Sequence, residues 1–172
     1  LSSIDIPDSV TVIGEGAFRY CGGLASLTIP SSVTAIGNNA FSFCNSLEDV
    51  HIYAPVTSIG DSAFYYCSSL TSVTLPDTVI TIGNYAFYGC TGLVSLTIPG
   101  SVTEIGRGAF KNCNSLITID IPDSVISLAD QVFSNCTNLS SVSIGSSVSS
   151  MGENIFSGCS NLVEINAHVN NT

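Results

Sequence analysis

Apolar residues recur along this chain of 172 residues with one fixed spacing, 23 residues. The unit reads L-x-x-I-x-I-P-x-x-V-x-x-I-G-x-x-A-F-x-x-C-x-x and is clearest in residues 70–92. Its most regular members are Leu1, Leu24, Leu47, Leu70, Leu93, Leu116, Leu139 and Leu162, with Phe18, Phe41, Phe64, Phe87, Phe110, Phe133 and Phe156, and Cys21, Cys44, Cys67, Cys90, Cys113, Cys136 and Cys159. Seven copies and the opening of an eighth therefore indicate a stacked repeat protein.

The pattern within one unit predicts a closed coil. The segment L-x-x-I-x-I alternates apolar and polar residues, which favours a short strand whose fourth and sixth residues are buried. Proline usually follows and ends the strand, because it has no backbone N–H. The segment V-x-x-I-G is predicted to be extended as well, with its glycine at a bend that requires a permissive backbone. Asn38, Asp61, Asn84 and Asp130 follow that glycine and are typical caps for a single turn of α- or 3₁₀-helix at A-F.

These coils cannot bury their apolar residues singly, so neighbours must share a continuous core. We expect one domain over residues 1–172, in the α/β repeat class: a solenoid that is predominantly β, with short helical turns and a parallel strand ladder. The pattern reaches both ends without a polar capping element, which predicts a fragment of a longer solenoid or end-to-end association.

Composition narrows the classes of partner. The formal net charge is -10, and Lys plus Arg number only 3, namely Arg19, Arg107 and Lys111. Such a chain has no basic stripe to neutralise nucleic-acid phosphates or an anionic membrane surface. Its longest apolar runs are also far shorter than a membrane span, so we expect no nucleic acid partner and no membrane insertion.

The segment I-P-x-S-V-T-x-I-G-x-x-A-F-x-x-C, filled nearly completely in residues 93–113, resembles the BspA-like (Treponema pallidum type) subfamily of leucine-rich repeats. The resemblance covers the whole chain and implies a solenoid whose strands line a concave surface, in a binding or adhesion module. The sequence departs from the subfamily in the third copy, at Tyr53 and Pro55, and in the sixth, at Ala129 and Val132. The place of the common asparagine ladder is occupied mostly by serine and threonine.

The cysteines, one per coil at a core position, are interpreted as buried free thiols that behave as small apolar residues. Two alternatives are a disulfide between successive coils, which parallel Cβ vectors disfavour, and a metal or cluster site, for which C-x-x-C pairs are missing. We expect all seven thiols to be reduced and inaccessible, and no metal or cofactor.

Few side chains in this sequence are suited to catalysis. Asp49 and His51 occupy outward places of one strand, and a Ser-His-Asp triad could be drawn there with Ser26 or Ser72. An open sheet offers neither a pocket nor oxyanion donors, so we expect no catalytic residue and no enzyme.

Two surfaces are candidates for ligand binding. One is the outward side of the first strand in each unit, centred on Asp49, His51, Ser72, Thr74, Ser95 and Thr97. Serine and threonine also simply suit a solvated sheet, and the interruptions at Asp49, His51 and Asp120 disfavour an ice-binding array.

The second surface is an aromatic row at the place before cysteine: Tyr20, Phe43 and Tyr66, with Tyr65, Tyr85 and Tyr88 nearby. The same place holds Gly89, Asn112, Asn135 and Gly158 in the later copies, so the core does not require an aromatic there. Either the row is a contact patch, or it is a half-buried stack that thickens the edge of the core.

The sequence thus favours a non-enzymatic protein- or glycan-binding or adhesion module of a cell-surface or secreted protein, with a host matrix protein among the expected ligands. An intracellular scaffold for protein–protein interaction is the alternative, since unoxidised thiols are commoner in the cytoplasm.

Overall fold

A computed structural model describes residues 2–168 as a parallel β-solenoid with coils of 23 residues. Its strands, in chain order, are Val12–Ile13 (β1), Ser26–Ile29 (β2), Ala35–Ile36 (β3), Asp49–Ile52 (β4), Ser58–Ile59 (β5), Ser72–Thr74 (β6), Thr81–Ile82 (β7), Glu104–Ile105 (β8), Thr118–Ile121 (β9), Ser127–Leu128 (β10), Ser141–Ile144 (β11), Ser150–Met151 (β12) and Glu164–Ala167 (β13). Each coil therefore has two extended sides joined by a turn.

The strands form two families of parallel ladders, as predicted, and paired residues are 23 positions apart in the sequence. The first strands of the units pair in the order β2-β4-β6 and, beyond an interruption, β9-β11-β13. Their outward surface is named the strand face. The second, shorter strands pair as β1-β3 and β5-β7-β8-β10-β12. Val50 and Ile52 of β4 are buried while Asp49 and His51 are exposed, as the alternation predicts.

The third side of the coil corrects one expectation, because A-F does not form a helical turn. Residues 15–20 and their equivalents, named the turn segments, contain two left-handed residues each, with φ of 55–78°. Such residues interrupt a helix. Alternate N–H groups bond within the segment and to the next coil: Arg19 donates to Gly16 at 3.0 Å, and Phe18 donates to Ala40 at 2.8 Å. Hydrogen bonds between coils therefore outcompete a local helix.

The glycine after the second strand has a different role from the one expected. Its φ is never left-handed among the described residues. Instead, a Cβ on Gly37 would lie 2.6 Å from the backbone nitrogen of Glu15 in the preceding coil. Glycine is needed here because stacked backbones approach too closely for a side chain. Ala129 replaces it in the sixth coil, and its N–H···O bond to Ile105 lengthens to 3.2 Å.

The Asn and Asp residues that follow this glycine cap the next coil, and not a helix. Asn38 Oδ1 accepts the Asp61 N–H at 2.9 Å, and Asp61 Oδ1 accepts the Asn84 N–H at 2.7 Å. The same bond joins Asp130 to Glu153 at 2.8 Å. This side-chain ladder resembles in its role the asparagine ladder that the sequence lacks at its usual place.

The core is a continuous stack. The phenylalanine rings lie nearly parallel, with centroids 5.3–5.8 Å apart from Phe18 to Phe156. Five cysteines are buried beside them, but Cys21 and Cys159 are only partly buried, so the expected inaccessibility of all seven thiols fails at these two. All seven are free.

Candidate functional site

The first half of the strand face brings four predicted residues together. Asp49 pairs in register with Ser72, and His51 with Thr74, on β4 and β6. The Ser72 hydroxyl donates to Asp49 Oδ1 at 2.6 Å. Within residues 2–168 no hydrogen bond links Asp49 to His51, whose ring lies 6.4 Å from that of Tyr53. The four residues form a polar row and have no triad geometry.

Ser95 and Thr97 do not continue this row as a strand. Within the described structure, residues 95–98 make no backbone–backbone hydrogen bond, and the ladder is open between β6 and β9. The Val94 N–H reaches the Thr71 carbonyl only at 3.5 Å, whereas the Thr71 N–H reaches Glu48 at 2.9 Å. The strand predicted for the fifth copy is therefore wrong.

This ladder opening leaves two shallow clefts on either side of Thr97. The larger, of about 290 Å³, is lined by both polar and apolar residues, among them Asp120, Leu96 and Ile98. The smaller, of about 180 Å³, lies towards Thr74. Water reaches the core more easily here: Leu96 is 7% exposed, against 1% for Leu27. Both clefts are open to solvent.

The aromatic row forms one continuous stack of rings. Tyr20 and Phe43 stack with centroids 4.9 Å apart, and Phe43 and Tyr66 with centroids 5.6 Å apart. We name these three residues the aromatic edge. Tyr20 is 64% and Tyr66 37% exposed, so the stack is accessible to solvent at the surface of the solenoid. All three residues have left-handed φ, at 55–64°.

Three further tyrosines extend this surface in the third and fourth coils. Tyr65 and Tyr88 stack at 4.8 Å, and Tyr85 meets Tyr88 edge-on at 5.9 Å. Burial raises the pKa of Tyr65 and of Tyr88, which extends the pH range over which both hydroxyls are protonated.

Neighbouring groups cover part of the ring faces of the aromatic edge. One face of Tyr20 packs on Phe43, and the Arg19 guanidinium lies over the ring at 4.9 Å from its centroid. At the other end the Tyr66 ring lies against Gly89, where a Cβ would be 2.9 Å from a ring carbon. The surface therefore offers C–H edges and hydroxyl groups to a partner.

Sequence reasoning missed one cluster, around His168. Its Nδ1 donates to Asp123 Oδ1 at 3.1 Å, and its Nε2 is hydrogen-bonded to the Ser143 hydroxyl at 2.7 Å. Hydrogen bonds from the Ser146 N–H and from His168 lower the pKa of Asp123. The order Ser-His-Asp is that of a catalytic triad, but the His168 side chain is 44% exposed to solvent. The cluster ties three coils together; its signal was a histidine at the place where most units have proline.

Metal binding and membrane crossing find no support in residues 2–168. That part of the chain holds no cluster of three or more His, Cys, Asp or Glu side chains placed to bind a metal ion. It also lacks any helix with the length and hydrophobicity needed to span a bilayer.

The family described as the BspA type leucine-rich repeat region matches residues 1–76 and 57–172, in six copies. No curated protein matches the chain. Among solved structures, a T. pallidum leucine-rich repeat protein is similar at 32% identity and a TM-score of 0.84, over 90% of this chain and 73% of the other.

Two further structures agree. A leucine-rich repeat protein from Bacteroides ovatus is 28% identical, with a TM-score of 0.80 over 95% of this chain. A leucine-rich cell surface protein from Faecalibacterium prausnitzii is 32% identical, with a TM-score of 0.69 over 96% of this chain. The chain spans 54% and 53% of these two proteins. The repeat pattern, the stacked coils and these matches agree, and the chain belongs to the BspA-type leucine-rich repeat family.

Proposed function

We propose that this module binds a partner protein through the outward surface of its turn segments, the turn face, with the aromatic edge at the centre of the contact. One observation carries the proposal: Tyr20, Phe43 and Tyr66 hold left-handed backbone where four other coils have glycine or asparagine. A bulky residue in that conformation costs about 1–3 kcal/mol. Aromatic side chains are thus displayed at a cost to stability, which is expected of a functional surface.

The arrangement of the rings favours a protein over a glycan. Sugars bind aromatic residues by lying flat on an exposed ring face, and here both faces of Phe43 and one face of Tyr20 are taken up by stacking. Ring edges and tyrosine hydroxyls suit the mixed apolar and hydrogen-bonding surface of a protein, in which tyrosine and arginine are common hot-spot residues.

The strand face is a second candidate surface, with a different chemistry. It combines Asp49, His51, Ser72, Thr74, Ser95 and Thr97 with the clefts at the ladder opening. Its carboxylates and hydroxyls would suit a basic or hydroxyl-rich ligand, and its association should weaken with salt in the basic case.

An adhesion role at the cell surface is part of the proposal. It is supported by the likeness to a protein described as a leucine-rich cell surface protein. The alternative, an intracellular scaffold, is favoured by seven free thiols, because oxidising compartments usually convert paired cysteines into disulfides. Both readings keep the same binding surface.

The test uses residues that the repeat itself already accepts. In one variant Tyr20, Phe43 and Tyr66 are replaced by asparagine, the residue of the fifth and sixth coils, and the matched control is Asp49→Ser with His51→Thr. Both proteins are screened by biolayer interferometry against extracellular-matrix proteins and a glycan array. Loss of protein binding only in the asparagine variant supports the proposal; unchanged binding in that variant refutes it.

A further inference from the structure

The charges of this protein are unevenly distributed over its surface. All 3 basic residues, Arg19, Arg107 and Lys111, lie on the turn segments. Of the 13 acidic residues, only Glu15, Asp61, Asp130 and Glu153 lie there. The turn face is therefore close to neutral on a molecule whose net charge is -10.

The basic groups border the tyrosines on both sides. Arg19 covers Tyr20 in the first coil. In the fifth coil, the Arg107 carbonyl accepts the Tyr85 N–H at 2.8 Å, and the Tyr85 ring lies against Gly108, three residues before Lys111. The aromatic surface is thus enclosed between one basic residue and a pair of them.

None of these cations has a carboxylate partner in the part of the chain that the structure describes. The salt bridges there involve only His168, with Asp120 and Asp123. Lys111 donates to the Gln131 side chain at 2.6 Å, a neutral acceptor, and Arg107 is exposed. Although the protein is rich in carboxylates, its three cations form no salt bridge with them in the described residues. Cations without such partners suit a surface that binds acidic groups.

The separation of the basic groups gives the partner a length. Four coil spacings lie between the first and fifth coils, about 19 Å at the usual distance between parallel strands. An extended peptide covers that distance in about six residues. Between its ends, the ring edges carry the positive part of the aromatic quadrupole, which also favours carbonyl and carboxylate oxygens.

We propose that the turn face recognises an extended acidic segment of its partner, with two carboxylates about six residues apart and apolar side chains between them. This inference rests on the proposed function, since it assigns the chemistry of the partner at the same surface. The remaining carboxylates of the module repel acidic chains elsewhere, so they confine such a segment to the turn face.

The test starts from a phage-displayed library of random dodecapeptides selected on the wild-type protein. We expect enrichment of peptides with Asp or Glu at positions six apart. The best of them, labelled with fluorescein, should bind roughly tenfold more weakly to the variant Arg19→Gln, Arg107→Gln, Lys111→Gln, with the difference shrinking in high salt. The control variant Ser31→Asp, Thr57→Asp, Ser149→Asp makes the same change in net charge at exposed residues outside both the turn face and the strand face, and it should bind as the wild type does.

The outcomes separate this inference from the proposed function. Enriched peptides that are neutral or basic, or equal binding to the glutamine variant, overturn the acidic partner while leaving the aromatic edge as the contact. Acidic peptides that bind equally well to the asparagine variant of Tyr20, Phe43 and Tyr66 overturn the proposed function. Absence of any enriched peptide counts against both.

Discussion

The Cys90 thiol donates its hydrogen to the backbone carbonyl oxygen of Phe64, in the preceding coil, at a distance of 3.2 Å. The same bond recurs with Cys67 and Phe41, and with Cys113 and Phe87, also at 3.2 Å. The periodic cysteine is therefore more than a small apolar residue, because its weak donor adds a second hydrogen bond, from the next coil, to a carbonyl group that already accepts an N–H of its own coil, as Phe64 does from Cys67 at 3.2 Å.

Thiol labelling should separate the cysteines into two classes. A maleimide added to the native protein should modify Cys21 and Cys159, which are partly buried, while the five inner thiols react only after denaturant is added. Mass spectrometry of the labelled peptides gives the order of reaction. Fast native labelling of Cys90, or an oxidised pair in the intact protein, would contradict the structure.

Alkaline pH should destabilise the fold. Burial raises the pKa of Cys113 to about 12 and that of Cys44 to about 11, against 9.0 for an unperturbed thiol. The folded state thus holds protons that the unfolded chain releases, so stability is full below about pH 9 and falls as the pH rises through the folded pKa values. Urea unfolding in the presence of reductant should show this decline between pH 9 and 11.

A matched variant isolates the thiol contribution to this pH dependence. Cys113→Ser keeps a donor but removes the ionisable group, so its decline should be shallower by up to about 1.4 kcal/mol per pH unit. Identical slopes for the variant and the wild type would show that Cys113 is not responsible.

The phenylalanine stack should be most sensitive in its middle. Phe87 is fully buried between Phe64 and Phe110, with centroids 5.3 and 5.4 Å away, so Phe87→Ala should cost about 3–5 kcal/mol of unfolding free energy. Phe156 is partly buried and stacks on Phe133 at 5.8 Å, so Phe156→Ala should cost less. Equal losses in denaturant unfolding would disagree with a chain of nearest-neighbour contacts.

The close approach of coils at the repeated glycine can be measured directly. A Cβ on Gly106 would lie 2.7 Å from the Asn84 nitrogen, so Gly106→Ala should destabilise by about 1–3 kcal/mol. The reverse change Ala129→Gly, at the equivalent place, serves as control and should alter stability by less than about 1 kcal/mol. The Gly106 variant being as stable as the wild type would refute the steric account.

Hydrogen exchange should reveal the ladder opening. Residues 26–30 and 95–99 share the sequence S-L-T-I-P, but only the first set forms a strand. The amides of Leu96 and Ile98 should exchange roughly tenfold or more faster than those of Leu27 and Ile29, because they lack backbone partners. Similar protection in the two copies would mean that the ladder is closed.

That pair of identical segments also marks the limit of sequence reasoning for this fold. The period placed the first strands of six copies, their buried residues and the phenylalanine stack correctly, because each follows from local alternation and from sharing a core; the strands predicted at residues 3–6 and 95–98 are absent. It could not distinguish residues 95–98 from their copy in the second coil, since pairing depends on the positions of neighbouring coils.

The turn segments show a second limit. Ala-Phe after an Asn or Asp resembles the sequence of a capped helical turn. The hydrogen bonds to the next coil, which prevent that helix, cannot be predicted from the sequence of a single repeat. The aromatic edge could be read from the sequence because its place varies among copies. The position of Arg107 and Lys111 beside Tyr85 required the left-handed turn geometry, which brings successive segments into register.

Gly89 has a consequence for how such a surface can change over time. The Tyr66 ring packs against Gly89, which has no side chain to continue the stack, so the aromatic edge ends after three coils. The extent of the aromatic surface thus depends on the residue that each coil has at the position before its cysteine. The phenylalanine and cysteine stacks continue beneath that position in every coil. Duplication or exchange of whole units could lengthen, shorten or relocate the recognition surface in evolution without redesigning the core.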